Sequence, residues 1–184
     1  ILGLVAGYVR VLDAVIMRTM DGLMSIPAIL LAIALISLSG ATLGTVILAI
    51  VIPEIPRVVR LVRAVVLTVR EEPYVEAAIA AGTRLPLILK RHILPNTIAP
   101  LIVQATYVCA SAMLTESILG FLGAGIPPEI PSWGNIMSEG RTYFQISPWI
   151  IFFPGIGLAL TVLAVNIVGD GLRDTLDPRI ARKI

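Results

Sequence analysis

GLMSIPAILLAIALISLSGATLGTVILAIVIP, Gly22–Pro53, contains no Asp, Glu, Lys or Arg. Soluble domains carry charge on about a quarter of their residues, so a run this long without any is suited to hydrocarbon rather than to water. One membrane-crossing helix needs about 20 predominantly apolar residues, and this block is too long for one. In its middle, Ser37-Leu-Ser-Gly-Ala-Thr42 is small and polar enough for a tight turn. The block reads as two helices, one from about Gly22 to Leu38 and one from about Thr42 to Leu67.

Two further uncharged blocks, Ile93–Thr115 and Thr142–Gly169, lie downstream. They place spans at about Thr97–Leu122 and Trp149–Val168. The 184 residues are 57% hydrophobic and only 14% charged, which puts the chain in the all-α integral membrane class. Ile1–Val9 is apolar but lacks the basic flank of a signal peptide. It reads as the tail of a span, residues 1–9, so the sequence reads as the C-terminal majority of a longer subunit. The expected order is a single membrane domain, 1–184: a partial span 1–9, then whole spans at about 22–38, 42–67, 97–122 and 149–168. The one cysteine, Cys109, falls inside a span and reads as a small packing residue, with no second cysteine for an intrachain disulfide.

If the helices alternate in direction, Arg10–Asp21, Arg57–Arg91 and Arg173–Lys183 share one face. Every Lys and Arg except Arg141 lies in those segments. Basic residues mark the cytoplasmic side. Residues 71–95 are therefore expected in the cytoplasm, and the Pro/Gly-rich loop 123–148, which holds Arg141, outside. The net charge of +2 gives no argument for nucleic acid. Arg57, Arg60 and Arg63 recur every third residue at a cytoplasmic helix end. They read either as side chains snorkelling to headgroups or as a stripe pairing with a partner or with Glu71 and Glu72.

Glu71–Pro95, EEPYVEAAIAAGTRLPLILKRHILP, is a charged island between apolar blocks. Pro73 suits the first turn of a helix, and Glu71 and Glu72 sit where negative charge favours the helix dipole. Gly82 is expected to end that helix with positive φ. A second short helix is expected from Pro86 to Ile93, with Pro95 marking its end. An interfacial hairpin on lipid and a partner-docking element both fit this pattern.

Glu76-Ala77-Ala78, Gly82 four residues on, and then Leu94-Pro95 resemble the EAA motif of the membrane subunits of bacterial ABC importers. The general pattern has Ile where this chain has His92. Arg91-His-Ile-Leu-Pro-Asn96 is instead similar to the dipeptide, oligopeptide and nickel branch, as are Leu119-Gly-Phe-Leu-Gly123, Pro131-Ser-Trp-Gly134 and Gly169-Asp-Gly-Leu-Arg-Asp-Thr-Leu-Asp-Pro-Arg179. Pro53-Glu-Ile-Pro56 departs from that branch, where an aromatic is expected, and puts the geometry of its helix in question.

The resemblance covers essentially the whole chain. It implies the transmembrane-domain bundle of a type I ABC importer, truncated at its N-terminus, in the bacterial inner membrane. It implies a permease subunit that couples through Glu76, Ala77, Ala78, Gly82, Leu94 and Pro95 to cytoplasmic ATPase subunits. The further partners would be a second homologous permease subunit and an extracytoplasmic substrate-binding protein, beside the lipid bilayer. Di- and oligopeptides lead as substrates, with nickel or another small solute as the alternative.

Polar residues within the spans are the remaining candidates. Glu116 is an intramembrane carboxylate, which reads as a functional site or as an interhelical hydrogen-bonding group near the outer surface. Gln104, Thr106, Thr115 and Asn166 either line a path or tie helices together. Gly3 and Gly7 have the GxxxG spacing of close helix packing. In loop 123–148 a short helix is expected around Asn135–Thr142, and Trp133 and Trp149 suit the membrane interface.

No phosphate-loop motif, H-E-x-x-H or G-x-S-x-G occurs, so no catalytic residue and no cofactor are assigned. His92, the only histidine, reads as structural rather than as a metal ligand. A secondary transporter would need midplane charges in repeated halves, and no internal repeat is visible.

Overall fold

The computed structural model describes residues 1–176. Pro178, Arg179, Arg182 and Lys183, which the sequence reading placed on the basic face, lie outside the described residues. Among the described residues nine α-helices follow in order: α1 Leu2–Tyr8, α2 Arg10–Met24, α3 Ala28–Ser39, α4 Leu43–Val69, α5 Pro73–Ala80, α6 Leu85–Ile88, α7 Leu94–Phe121, α8 Trp133–Gly140 and α9 Trp149–Leu176. A π turn, Leu89–Ile93, joins α6 to α7. No strand occurs among the described residues. The helical run Leu85–Phe121 and helix α9 are long and apolar enough to cross a membrane, and α2 with α3 qualify together as a broken pair.

The chain packs as two compact units. The first comprises Ile1–Ser25, Ile55–Ala105 and, of the described residues, 170–176; the second comprises Ile26–Glu54 and Thr106–Gly169. Among the described residues, every Lys and Arg except Arg141 belongs to the first unit. The division by packing therefore coincides with the division by charge.

In the first unit, Val62, Val66 and Val69 recur at helical spacing along α4. They form a core with Val75 of α5, Ile88 of α6 and Ile93 of the π turn. The short α1 lies directly on α4. A Cβ at Gly3 would fall 2.7 Å from the Val59 carbonyl oxygen, and one at Gly7 would fall 2.6 Å from Val66 Cβ. The GxxxG spacing is thus where two backbones meet. At the end of α1 the Arg70 Nη1 donates to the Gly7 carbonyl at 3.1 Å, satisfying one of the oxygens that a helix end leaves without a partner.

Two arginines of the α4 stripe hold α2. Arg63 Nε and Nη2 donate to Asp13 Oδ1 and Oδ2 at 2.5 and 2.6 Å, and Arg60 Nη2 donates to Asp21 Oδ1 at 2.6 Å. The expected pairing with Glu71 and Glu72 is corrected for these two residues. Asp13 and Asp21 lie eight positions apart on one face of α2, so they meet arginines on one face of α4. Among the described residues, Glu71 is reached by Arg70, at 3.8 Å.

In the second unit, Ala32 and Ile36 of α3, Val46 and Ala49 of α4, Leu119 of α7 and Ile126 form the core. The α3–α4 corner turns at Gly40, φ +84°. Thr42 and Thr45 close it: each backbone N–H donates to the other's hydroxyl oxygen, at 2.9 and 3.2 Å, as in a capping box.

The helix expected over 22–38 is interrupted. Gly22–Met24 end α2, and α3 begins only at Ala28 after Pro27. Proline has no N–H and disfavours helical ψ in the residue before it, a signal the sequence reading passed over. Helix α4, by contrast, runs unbroken across Pro53 and Pro56.

Candidate functional site

The island Glu71–Pro95 belongs wholly to the first unit. Helix α5 starts with Pro73 at its first position, after Glu72 in extended conformation. Val75 is fully buried against α4 and is the anchor, while Glu76 and Ala77 are exposed and Ala78 is half-buried.

The C-terminus of α5 is a Schellman motif. Thr83 N–H donates to the Ala78 carbonyl at 3.1 Å and Gly82 N–H to the Ile79 carbonyl at 2.9 Å. Gly82 has φ +76°, and a Cβ there would meet nothing within 4 Å. Glycine is required at this position by backbone conformation and not by space.

Pro95 does not end a helix, contrary to the expectation. The chain passes from α6 through the π turn into α7, with Leu94 N–H donating five residues back to the Leu89 carbonyl. The extra residue of a π turn shifts the bonding frame just before a proline that has no N–H. Asn96 then caps a nearby carbonyl, its Nδ2 donating to His92 O at 2.6 Å. The same Nδ2 donates to Tyr74 Oη at 3.1 Å, and the Tyr74 and His92 rings lie 6.2 Å apart. Tyr74, His92 and Asn96 stitch the start of α5 to the start of α7. Sequence reasoning singled out only His92 of the three; the Asn after Leu-Pro was the available signal. Leu94 and Pro95 are exposed.

Of the path candidates, Gln104 and Glu116 line separate pockets in separate units, and the exposed Asn166 on α9 lines neither. Gln104, whose buried Nε2 has no acceptor among the described residues, borders a pocket of about 620 Å³ with Asn96, Pro100 and Arg173. Glu116 has a buried Oε1 without a donor among the described residues. It borders a pocket of about 660 Å³ with Ile50, Met113, Trp133, Ile136 and Thr161. Thr115 bonds its own helix, Oγ1 donating to the Ser111 carbonyl at 2.9 Å.

Two sequence motifs of the second unit meet in space. Gly120, from Leu119-Gly-Phe-Leu-Gly123, packs on Gly134, from Pro131-Ser-Trp-Gly134: a Cβ at Gly120 would lie 3.0 Å from Gly134 Cα, and one at Gly134 would lie 2.8 Å from the Ser117 carbonyl oxygen. Helix α8 is N-capped by Ser132, whose Oγ accepts from Asn135 N–H at 3.2 Å. Asn135 Nδ2 donates to the carbonyls of Ile126, Pro127 and Ile130 at 3.3, 3.3 and 3.1 Å. Helix α8 begins two residues earlier than expected because Ser132 supplies the cap.

These arrangements provide a short exposed helix with a Schellman end in one unit and a pocket lined by a carboxylate in the other. Residues 1–182 match the family described as "Binding-protein-dependent transport system inner membrane component". The chain is 60% identical over 178 residues to the probable peptide ABC transporter permease protein y4tQ of Sinorhizobium fredii, covering 97% of this chain and 61% of that protein. It is 45% identical over 180 residues to the dipeptide transport system permease protein DppC of Alkalihalophilus pseudofirmus, covering 97% and 59%. It is 41% identical over 180 residues to the glutathione transport system permease protein GsiD of Pectobacterium atrosepticum, covering 97% and 60%. The chain thus spans about three-fifths of the length of these relatives. With a profile match over nearly its whole length and apolar helices long enough to cross the bilayer, the chain belongs to the family of binding-protein-dependent transport system inner membrane components, multi-pass proteins of the bacterial inner membrane.

Proposed function

We propose that this chain forms most of a permease subunit of an ATP-driven importer, carrying di- or oligopeptides across the inner membrane. The observation that carries the reading is α5: a helix pinned by one buried residue, Val75, with Glu76 and Ala77 facing outward and a Schellman end at Gly82. A short, rigidly terminated helix with a narrow alanine face suits insertion into a groove of another protein. The groove would belong to a cytoplasmic ATPase subunit, so hydrolysis would occur on that partner. A second permease subunit and an external binding protein would complete the assembly. The peptide substrate is supported by the peptide and dipeptide permeases among the relatives.

The test is uptake by the full-length permease reconstituted with its partner subunits in vesicles. Labelled dipeptide should accumulate only with ATP and the binding protein present. Accumulation driven by an ion gradient without ATP would overturn the reading, and uptake of nickel in place of peptide would redirect the substrate.

A further inference from the structure

The pocket beside Glu116 lies entirely within the second unit, between α4, α7, α8 and α9. Its wall is mostly apolar: Ile50, Met113, Trp133 and Ile136. Into this wall Glu116 brings a carboxylate whose Oε1 is buried with no donor among the described residues, while Oε2 receives a long 3.4 Å bond from Ser117 Oγ. A buried acceptor left unpaired is costly, the more so when charged, and calls for a partner. The unit's own cation does not supply it. Arg141, its only Lys or Arg, donates to Ser138 Oγ at 2.9 Å and stacks over the Phe121 ring at 5.0 Å.

A cationic donor with an apolar body would match both the carboxylate and the apolar wall. A metal ion would want several oxygen or nitrogen ligands, and no group of three His, Cys, Asp or Glu converges among the described residues. An ammonium group fits better. Thr161 lines the same pocket, and its hydroxyl hydrogen is already given to the Gly157 carbonyl at 2.9 Å, which leaves its oxygen as an acceptor. Trp133 also lines the pocket, and indole is the aromatic side chain that attracts cations best. At about 660 Å³ the pocket has the size of a small-ligand site.

We propose that this pocket receives the free amino terminus of a peptide, with Glu116 accepting from the α-ammonium and the apolar wall holding the first side chain. The inference rests on the permease reading and adds a recognition group to it. N-blocked peptides, having lost the ammonium, are poor ligands for this pocket.

The experiment is tryptophan fluorescence of the full-length permease in nanodiscs, titrated with Ala-Ala and with N-acetyl-Ala-Ala. The pocket's signal is assigned by its loss in Trp133→Phe. Ala-Ala should bind saturably, and the acetylated peptide at least about tenfold more weakly. Glu116→Gln, which keeps the shape of the side chain, should weaken Ala-Ala by a similar factor and erase the difference between the two peptides.

Equal affinities in the wild type would overturn the proposal with no variant needed. So would unchanged Ala-Ala affinity in Glu116→Gln, or the absence of any Trp133-dependent signal. ATP-driven dipeptide uptake without this discrimination would sink the pocket and leave the permease reading standing. Discrimination intact, without uptake of any peptide, would sink peptide import and leave the ammonium pocket standing.

Discussion

Arg63 grips Asp13 across fifty residues of sequence with both prongs of its guanidinium, Nε at 2.5 Å and Nη2 at 2.6 Å from the two carboxylate oxygens. Bidentate pairs of this kind are among the stronger charge-assisted contacts. Both side chains are partly exposed, so solvent moderates the energy. A double-mutant cycle of Asp13→Asn and Arg63→Gln should return a coupling of about 1 kcal/mol. Exchanging the two charges, Asp13→Arg with Arg63→Asp, should recover part of the stability lost by either reversal alone. Thermal unfolding in detergent reads both, and a coupling of zero would mean that α2 is held by packing alone.

Glu76 is exposed on α5 and contributes no buried contact. Glu76→Lys should leave the melting temperature of the permease nearly unchanged, within about 0.5 kcal/mol, while weakening retention of the ATPase subunit on affinity purification. Wild-type ATPase retention by this variant would remove Glu76 from the docking face.

Gly82 has open space around it but a left-handed backbone. Gly82→Ala should cost about 1 kcal/mol, Gly82→Val more, and Gly82→Asn least, because Asn tolerates this region. ATP-driven transport should fall in the same order. Equal activity for Asn and Val would show that the turn does not depend on this conformation.

Gly120 and Gly134 pose the opposite problem, a lack of space. Alanine at either would force backbones apart and destabilise by about 1–3 kcal/mol. Gly22→Ala in α2, where a Cβ meets nothing within 4 Å, should be neutral or stabilising by up to about 1 kcal/mol. Melting temperatures of the three variants test the contrast, which fails if all three behave alike.

Asn135 holds the carbonyls of Ile126, Pro127 and Ile130 with one amide. Asn135→Asp places an acceptor against them and should raise hydrogen exchange over residues 126–131 more than Asn135→Ala does. Protection unchanged in both would assign the loop's order to its prolines.

The sequence by itself determined the class and the local punctuation. Blocks without charge as long as Gly22–Pro53 have few solvents other than lipid, and the family's motifs are written in consecutive residues. Gly82 was legible as a helix terminator because its φ is set by the few residues around it. The corner at Gly40 and the cap at Ser132 belong to the same local chemistry.

Tertiary structure decided the pairings. Asp13 and Asp21 became the partners of Arg63 and Arg60 only once α2 was laid on α4; spacing alone left Glu71 and Glu72 equally available. Gly120 and Gly134 share no local signal that they touch, and only their backbones' approach explains why neither carries a side chain. Pro95 passes within a helical run because the π turn before it and Asn96 after it absorb the lost donor, a compensation that depends on the fold around Tyr74. Local rules act over a turn of helix, whereas these contacts depend on which faces the chain brings together. The Glu116 carboxylate could be read from sequence as an oddity. Its apolar pocket, and the absence of a cation from its own unit to answer it, were decided by packing.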